Sequence, residues 1–284
     1  MYPRKFEYIA PPTVEEAVAA LAANPGAKVM AGGMSLLPLM KMRLFSPPMI
    51  VDIGRIGGLD RIEDRGDHLA IGALVRHAQT AESPLVREHA AALATAAGMT
   101  GDAQVRNWGT TCGSLAHADI AADQPAAALA VGATLVVQGP NGRRDIAVAD
   151  CFVDTLTTSI QPDEVVVELK VPKAGGASAY DKLGRRGGHS DYAVAGAAAW
   201  VQRSNGTIEA ARVALTGVAA KPQLVTAVAD AIAGTDGSAA AIEEAASHAV
   251  DGVTVLEDLY GSEDYKAHLA TVYVARSLAA AIGG

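Results

Sequence analysis

The sequence is poor in aromatic residues and in cysteine, and each scarcity excludes a class of protein. Only 4% of the 284 residues are aromatic, whereas 50% are hydrophobic, so we expect a globular core that packs small side chains closely. Two cysteines, Cys112 and Cys151, cannot supply the four thiolates of an iron–sulfur cluster, and their spacing is not that of a zinc site. We therefore expect no metal in this chain and interpret both cysteines as free thiols of a reducing compartment.

Long apolar runs and basic clusters are also lacking. No segment has the length of a membrane span, and the N-terminus has no apolar signal region, so we expect a cytoplasmic protein. The formal net charge is −8, with no basic cluster longer than Arg143-Arg144 or Arg185-Arg186, which argues against nucleic acid as a partner. Neither a GxSxG turn, nor a Walker loop, nor a GxGxxG after a predicted strand is present, so a serine hydrolase and a Rossmann dehydrogenase are not supported.

Local patterns predict an α+β fold that begins with a small β-α-β unit. Thr13 and Glu16 have the spacing of a capping box at the start of a helix. Buried strands are predicted at 28–31 and 49–53, and the segment 36–44 between them is predicted to be a helix or an irregular turn.

Shorter elements follow, up to a linker predicted at 173–178. Residues 99–125 carry no periodic pattern and are predicted to be a long loop, which in a compact domain is usually functional. Beyond the linker, Asn205-Gly206 marks a hairpin turn. The predicted elements are strands at 68–73, 134–138, 165–171, 192–202 and 208–216, and helices at 80–98, 126–131 and about 222–234, 237–249 and 262–282.

Two turns rich in glycine and small hydroxyl residues stand out, one at 31–35 (AGGMS) and one at 109–114 (GTTCGS). Without a Cβ to shield them, consecutive backbone N–H groups in such turns can face an oxyanion such as a pyrophosphate. Either turn alone is also explained as an ordinary connection between a strand and a helix. The two together suggest a dinucleotide held between two loops.

Around these turns the chain resembles a known family. Segments 31–44 and 109–125 resemble the two FAD-binding signatures of the flavoprotein subunit of molybdenum hydroxylases, the medium subunit of aerobic carbon monoxide dehydrogenases and the FAD domain of xanthine dehydrogenases. Residues 179–186 and 190–193, from Ser190 to Ala193, resemble a third element of that family. The resemblance implies a two-part FAD-binding domain of the vanillyl-alcohol oxidase (PCMH-like) type at 1–176, divided at about 1–53 and 54–176. A C-terminal α+β domain with a small antiparallel sheet and helices is implied at 177–284.

The resemblance also implies which residues contact FAD, and it implies no catalytic side chain. The FAD contacts that it implies are Val29, Met30, Ala31, Gly32, Gly33, Met34, Ser35, Leu36, Thr100, Thr110, Thr111, Cys112, Gly113, Ser114, Asp119, Asp123, Val166, Lys182 and Tyr192.

Several of these residues have simpler interpretations or depart from the family pattern. Asp123 has the position of a helix N-cap, Lys182 could be a solvated surface charge, and Tyr192 could pack in the core. Cys112 and Ser114 stand where the family usually has glycine and asparagine. Met34 stands where the carbon monoxide enzymes often have histidine.

The resemblance implies an electron-transfer subunit. A large subunit with a molybdenum–cytosine dinucleotide and a small subunit with two [2Fe–2S] clusters would be its partners in a dimer of heterotrimers, which could lie at the inner membrane face. FAD in this chain would pass electrons to an external acceptor such as a quinone, a cytochrome, NAD or oxygen. The alternative is a free-standing FAD-dependent oxidase or reductase of the same superfamily, which would need acid/base residues over the flavin.

Overall fold

The computed structural model describes residues 2–187 and 191–283, so Ser190 of the third matched element lies outside the described residues. Helices and strands alternate irregularly, which confirms the α+β prediction. The elements of the first half are β1 (Glu7–Ile9), α1 (Val14–Ala23), β2 (Lys28–Met30), α2 (Leu36–Met42), β3 (Met49–Asp52), β4 (Ile62–Asp64), β5 (His68–Gly72), α3 (His77–Glu82), α4 (Pro84–His89), α5 (Ala91–Met99), α6 (Ala103–Trp108), α7 (Thr111–His117) and α8 (Asp123–Ala130). Those of the second half are β6 (Thr134–Gly139), β7 (Gly142–Ala147), α9 (Val148–Cys151), β8 (Phe152–Asp154), β9 (Thr157–Thr158), β10 (Val165–Pro172), β11 (Ala177–Gly184), β12 (Ala193–Ser204), β13 (Thr207–Thr216), β14 (Gln223–Leu224), α10 (Thr226–Ile232), α11 (Ala239–Ser247) and α12 (Glu263–Gly283).

The N-terminal unit is a parallel sheet in the order β1-β3-β2. The predicted helix start is confirmed, since Thr13 Oγ1 accepts a hydrogen bond from Glu16 N at 3.2 Å. The predicted β-α-β unit is present, and β1 adds an edge strand that the sequence patterns missed.

A five-stranded antiparallel sheet follows, in the order β4-β5-β10-β6-β7. Every second residue of β10 is buried, as expected for a strand with one face on the core. The prediction of a structureless loop at 99–125 is wrong, because α6 and α7 lie within it. Each begins at a capping side chain, Asp102 or Thr110, and each is too short to show a helical period.

The C-terminal unit is an antiparallel sheet in the order β11-β12-β13-β14, covered by α10, α11 and α12. The predicted hairpin is confirmed, with Asn205 and Gly206 both at positive φ. The predicted linker at 173–178 is wrong in its second part, because β11 begins at Ala177.

The helical segment that carries the second glycine turn packs against this C-terminal sheet. Gly217 N donates to Ile120 O at 2.7 Å, and Ala193 N donates to Ala121 O at 3.1 Å. Ala92 N, on α5, donates to Ser178 Oγ at 3.1 Å. These two main-chain bonds therefore fix residues 120 and 121, between α7 and α8, to the C-terminal sheet. Across the described ranges, no helix combines the length and apolar character needed to cross a membrane.

Candidate functional site

The two glycine turns, at 31–35 and at 109–114, lie against each other. A Cβ added to Gly32 would lie 1.9 Å from the Trp108 carbonyl oxygen and 2.9 Å from Gly109 Cα. Real Cβ atoms do not approach backbone so closely, so this contact between two main chains requires glycine at position 32. The loop pair predicted from sequence is therefore a single structural feature.

The first turn connects β2 to α2. Val29 and Met30 end the strand, Ala31 to Ser35 form the turn, and Leu36 begins the helix. Gly33 has φ +73°, a conformation that a β-branched residue would adopt only with strain. Its carbonyl accepts from Leu37 N at 3.0 Å, which fixes the turn to the helix.

The second turn is held by hydrogen bonds to α3 and to Val75 just before it. His77 N donates to Gly109 O at 3.0 Å, and Thr111 N donates to Val75 O at 3.1 Å. The Thr111 and Thr80 hydroxyls form a buried hydrogen bond of 2.7 Å. Burial lowers the pKa of His77 to about 4, and the positive charge of Arg106 lowers it further, so the ring is neutral at pH 7. Its Nδ1 has no hydrogen-bond partner among the described residues.

At the start of α7, Thr110 is the cap and its Oγ1 accepts from Gly113 N at 3.0 Å. The Cys112 thiol points into the core, with Sγ 3.7 Å from Ile71 O, and burial raises its pKa to about 12. A cysteine can thus replace the family's glycine here without placing its side chain on the outer surface of the turn. Both Cys112 and Cys151 are free and buried.

A cavity of about 540 Å³ opens beside the paired turns. It is lined by Met34 of the first turn and by Ala103, Gln104, Asn107 and Trp108 of α6. A second cavity, of about 400 Å³ between the start of α1 and the five-stranded sheet, contains none of the predicted FAD contacts.

Asp123 and Lys182 form a buried ion pair, with Nζ 2.7 Å from Oδ1. The Asp123 carboxylate also accepts from Tyr180 OH at 2.5 Å and from Thr100 Oγ1 at 3.3 Å. Burial raises the pKa of Asp123 to about 6, opposed by the Lys182 charge and by these hydrogen bonds. The cap at this helix start is Ala122, and Asp123 is the first helical residue. The N-cap interpretation of Asp123 is therefore wrong.

The Lys182 ammonium has further partners in the protein. It donates to Met99 O at 3.2 Å and to the main-chain oxygen of Asp191, in addition to Asp123. These acceptors can use all three of its protons, and its side chain has no exposed surface. Lys182 is therefore not a solvated surface charge. It ties the end of α5, the start of α8 and the segment before β12 to β11.

Tyr192 is exposed and lies next to an arginine. The Arg185 guanidinium carbon is 5.2 Å from the Tyr192 ring centre and 4.4 Å from that of Tyr260. Partial burial raises the pKa of Tyr192, Asp119 raises it further, and Arg185 and the Ser35 hydroxyl lower it. Ser35 of the first turn and Asp119, which follows the second turn, therefore both lie near Tyr192 of the third matched element.

The remaining predicted residues divide into three groups. Thr100 joins the Asp123 network, and Asp119 Oδ1 accepts from Ala121 N at 2.9 Å within its own turn. Ser114 continues α7, with its N donating to Thr110 O at 3.0 Å. Val166 lies apart on β10, paired with Val137. It shares no side-chain hydrogen bond with the predicted set within the described part of the chain.

Tyr180 and Arg185 lie in the third matched segment, but the sequence prediction did not include them among the FAD contacts, and it missed Tyr260 and His77. Tyr180 and Lys182 alternate on β11, so both side chains point to the same face. Had the strand been recognised, this period of two would have identified Tyr180. Tyr260 comes from a loop 75 residues beyond Arg185, and no local pattern connects them.

Comparisons with known proteins find relatives that match nearly the whole chain. A profile of the family described as the FAD binding domain in molybdopterin dehydrogenase matches residues 4–174, and one described as the CO dehydrogenase flavoprotein C-terminal domain matches residues 178–281. The carbon monoxide dehydrogenase medium chain of Hydrogenophaga pseudoflava is 40% identical, with 99% of this chain and 98% of the relative covered. The nicotine 6-hydroxylase medium subunit of Paenarthrobacter nicotinovorans is 34% identical over 95% of each chain. A chain in a solved structure of carbon monoxide dehydrogenase from Hydrogenophaga pseudoflava superposes with a TM-score of 0.95 at 41% identity, covering 100% of this chain and 99% of that one.

Proposed function

Because this chain belongs to the family of FAD-binding subunits of molybdopterin dehydrogenases, we propose that it transfers electrons between an iron–sulfur partner subunit and an external acceptor. The chain is an oxidoreductase subunit, and its cofactor is FAD. Bound FAD would supply a redox centre that links one-electron carriers to a two-electron acceptor. The protein binds, orients and tunes this group.

The contact between the two glycine turns is the observation that carries the proposal. A Cβ at Gly32 would clash with the Trp108 carbonyl and push the two turns apart, and Gly33 adopts a left-handed conformation beside it. Such a cradle fits a pyrophosphate, which main-chain N–H groups can approach only where no Cβ intervenes. Ser35 at the start of α2 and Ser114 in α7 would add hydroxyl donors. We assign the predicted residues of the two turns to FAD binding on this basis.

The buried network and the exposed tyrosine would have different tasks. The pair of Lys182 and Asp123 holds the C-terminal sheet against the segment that follows the second turn, so it positions the loops. Tyr192 is at the surface where the three matched elements meet, which suits a residue that covers or stacks on a flavin ring. We therefore treat Lys182 and Asp123 as positioning residues and Tyr192 as a contact.

The proposal of partner subunits follows from the absence of cluster ligands in this chain. Two buried cysteines cannot ligate a cluster, so iron–sulfur clusters must come from another chain. We propose a small subunit with two [2Fe–2S] clusters and a large subunit with a molybdenum–cytosine dinucleotide. The complex would be a dimer of heterotrimers, since closed oligomers usually form about a two-fold axis.

The substrate is a property of the large subunit. Relatives of this chain at 40% and 34% identity are named for carbon monoxide and for nicotine, two chemically unrelated substrates. Since FAD subunits of similar sequence belong to enzymes with such different substrates, we infer that the FAD subunit does not itself bind the substrate. The alternative, a free-standing flavoprotein oxidase or reductase, would place acid/base residues over the flavin. The only strongly shifted carboxyl pKa in the described site belongs to Asp123, which is buried in an ion pair.

The test is to compare the isolated chain with the complex from its native organism. The isolated chain should bind FAD and show no turnover of carbon monoxide, aldehydes, purines or N-heterocycles with a dye acceptor. The complex purified through a tag on this chain should contain molybdenum, iron and acid-labile sulfide. Turnover by the isolated chain would contradict the proposal and favour the free-standing flavoprotein.

A further inference from the structure

A second lysine is buried in the C-terminal unit, outside the network of Asp123 and Lys182. Lys266 lies near the start of α12, and only 2% of its side chain is accessible. A charged group is costly to bury unless other groups compensate its charge. The partners of Lys266 therefore show which parts of the fold it holds.

The ammonium of Lys266 connects two separate segments. Its Nζ lies 2.7 Å from Oδ2 of Asp258 and 3.0 Å from the main-chain oxygen of Gly217. Gly217 N in turn donates to Ile120 O at 2.7 Å, in the segment between α7 and α8. Lys266 is thus bonded to a residue that is itself bonded to the chain following the second glycine turn.

The Asp258 carboxylate extends this contact to Tyr260. Its Oδ2 accepts from Lys266, and its Oδ1 accepts from Tyr260 N at 2.8 Å. Asp258 and Gly261 also exchange main-chain hydrogen bonds of 3.1 and 3.4 Å, which close a tight turn. We call residues 258–261 the Tyr260 turn.

The ring of Tyr260 lies on Arg185. The guanidinium carbon is 4.4 Å from the Tyr260 ring centre and 5.2 Å from that of Tyr192, and Arg185 N donates to Tyr192 O at 2.9 Å. Partial burial raises the pKa of Asp258, but the hydrogen bonds from Lys266 and Tyr260 N and the charges of Lys266 and Arg185 hold this pKa below its ordinary value. Contacts therefore run without interruption from Lys266 to Tyr192.

A purely structural task would not require this arrangement. Apolar residues of similar volume often stabilise a fold as well as a buried ion pair does, or better. They could not hold the main-chain amide of Tyr260 through a carboxylate. Tyr260 keeps 45% of its surface accessible and the adjacent Leu259 keeps 97%, so the Tyr260 turn has little apolar packing of its own. Its position depends on the polar contacts to Asp258.

We propose that Lys266 is a positioning residue for the flavin site. By fixing the Tyr260 turn, it holds Arg185 between two tyrosine rings and so sets the orientation in which Tyr192 contacts the flavin. The inference rests on the function proposed above. It adds a residue of α12 that belongs to neither glycine turn and does not itself contact the cofactor.

The test measures the fluorescence of FAD bound to the isolated full-length chain, because a tyrosine ring stacked on a flavin quenches its emission. Lys266→Met should raise the emission of bound FAD about twofold and lower the affinity for FAD about fivefold. Tyr260→Leu, which leaves the buried ion pair intact, should have the same two effects. The matched control is Lys221→Met, since the Lys221 ammonium also donates to a main-chain oxygen, that of Phe152 at 3.0 Å. It should change neither quantity.

A double-mutant cycle separates positioning from stability. In a chain that carries Tyr192→Leu, Lys266→Met should raise the flavin emission no further, because the ring that it positions is no longer there. The same increase with and without Tyr192 would assign the effect to the fold as a whole and overturn the inference. Thermal unfolding of each variant reports on stability separately.

The inference and the proposed function can fail independently. Unchanged emission of bound FAD in both Lys266→Met and Tyr260→Leu would overturn the inference and leave the proposed function intact. If Lys266→Met does not fold, Tyr260→Leu decides alone. Failure of the wild-type chain to bind FAD would remove the proposed function itself.

Discussion

Gly32 lies directly against the carbonyl group of Trp108, so close that a single added carbon would be 1.9 Å from the oxygen. This contact joins the two turns that were predicted separately. It is possible because residue 32 has a hydrogen atom where other residues have a side chain. Because backbone on both sides is fixed by α3 and α2, neither turn can move away without breaking hydrogen bonds at Gly109 or Gly33.

Gly32→Ala should separate the turns and lower the affinity for FAD at least tenfold, which corresponds to about 1.4 kcal/mol. Titration of the apoprotein with FAD, followed by flavin fluorescence, measures the effect. Gly57→Ala is the matched control, since a Cβ there meets nothing within 4 Å. Equal affinities of the two variants would show that the cradle does not bind the cofactor.

Lys182→Met should destabilise the protein by about 3–5 kcal/mol, because it leaves the Asp123 carboxylate buried without its cation. The loss should grow as pH rises above about 6, because the wild-type Asp123 carboxyl ionises there beside Lys182, whereas removal of the lysine raises the pKa of this carboxyl further. Urea denaturation at several pH values measures it. Lys173→Met, which breaks an ion pair with the exposed Asp64, should cost no more than about 1 kcal/mol.

The double variant Lys182→Met with Asp123→Asn should recover part of this stability, since no buried charge then remains. If Lys182→Met were instead as stable as the wild type, the ammonium would have to face solvent or cofactor, as its resemblance-based assignment to a flavin contact implies.

His77 should make stability depend on pH. Its folded pKa of about 4 is below the unfolded value, so the native state binds fewer protons and stability falls as pH falls. Between pH 7 and pH 5 the loss should be about 2 kcal/mol. His77→Gln should remove this dependence of stability on pH. Between pH 7 and pH 8, plots of the free energy of unfolding against pH should run parallel for the wild type and the variant. Unchanged slopes in chemical denaturation would assign the pH dependence to other groups.

Arg185→Met should free the Tyr192 ring, because two cation–π contacts of about 0.5–1 kcal/mol each are lost. We expect FAD affinity to fall about fivefold and the near-ultraviolet circular dichroism of tyrosine to weaken. Arg276→Met is the control, as Arg276 lies 5.1 Å from the Tyr273 ring in the same unit. Equal FAD affinity in both variants would separate the Arg185 contacts from the site.

The sequence by itself determined the parts of this protein that depend on neighbouring residues. The Thr13 cap, the Asn205-Gly206 hairpin, the α+β character and the two glycine turns follow from local geometry, which a few adjacent residues specify. The family resemblance extended this to the cofactor. Prediction from local patterns failed for α6, α7 and β11. Short helices show no helical period, and alanine, lysine and aspartate are weak strand formers.

Only the tertiary structure decided which of these pieces touch. That Gly32 meets Trp108, that Lys182 is enclosed by Asp123 and two main-chain oxygens, and that Cys112 turns inward are results of packing between segments far apart in the chain. A lysine on a strand has the same local pattern whether its ammonium is solvated or buried. The difference arises from the low-dielectric surroundings that the whole fold creates, and these are not encoded in any single segment.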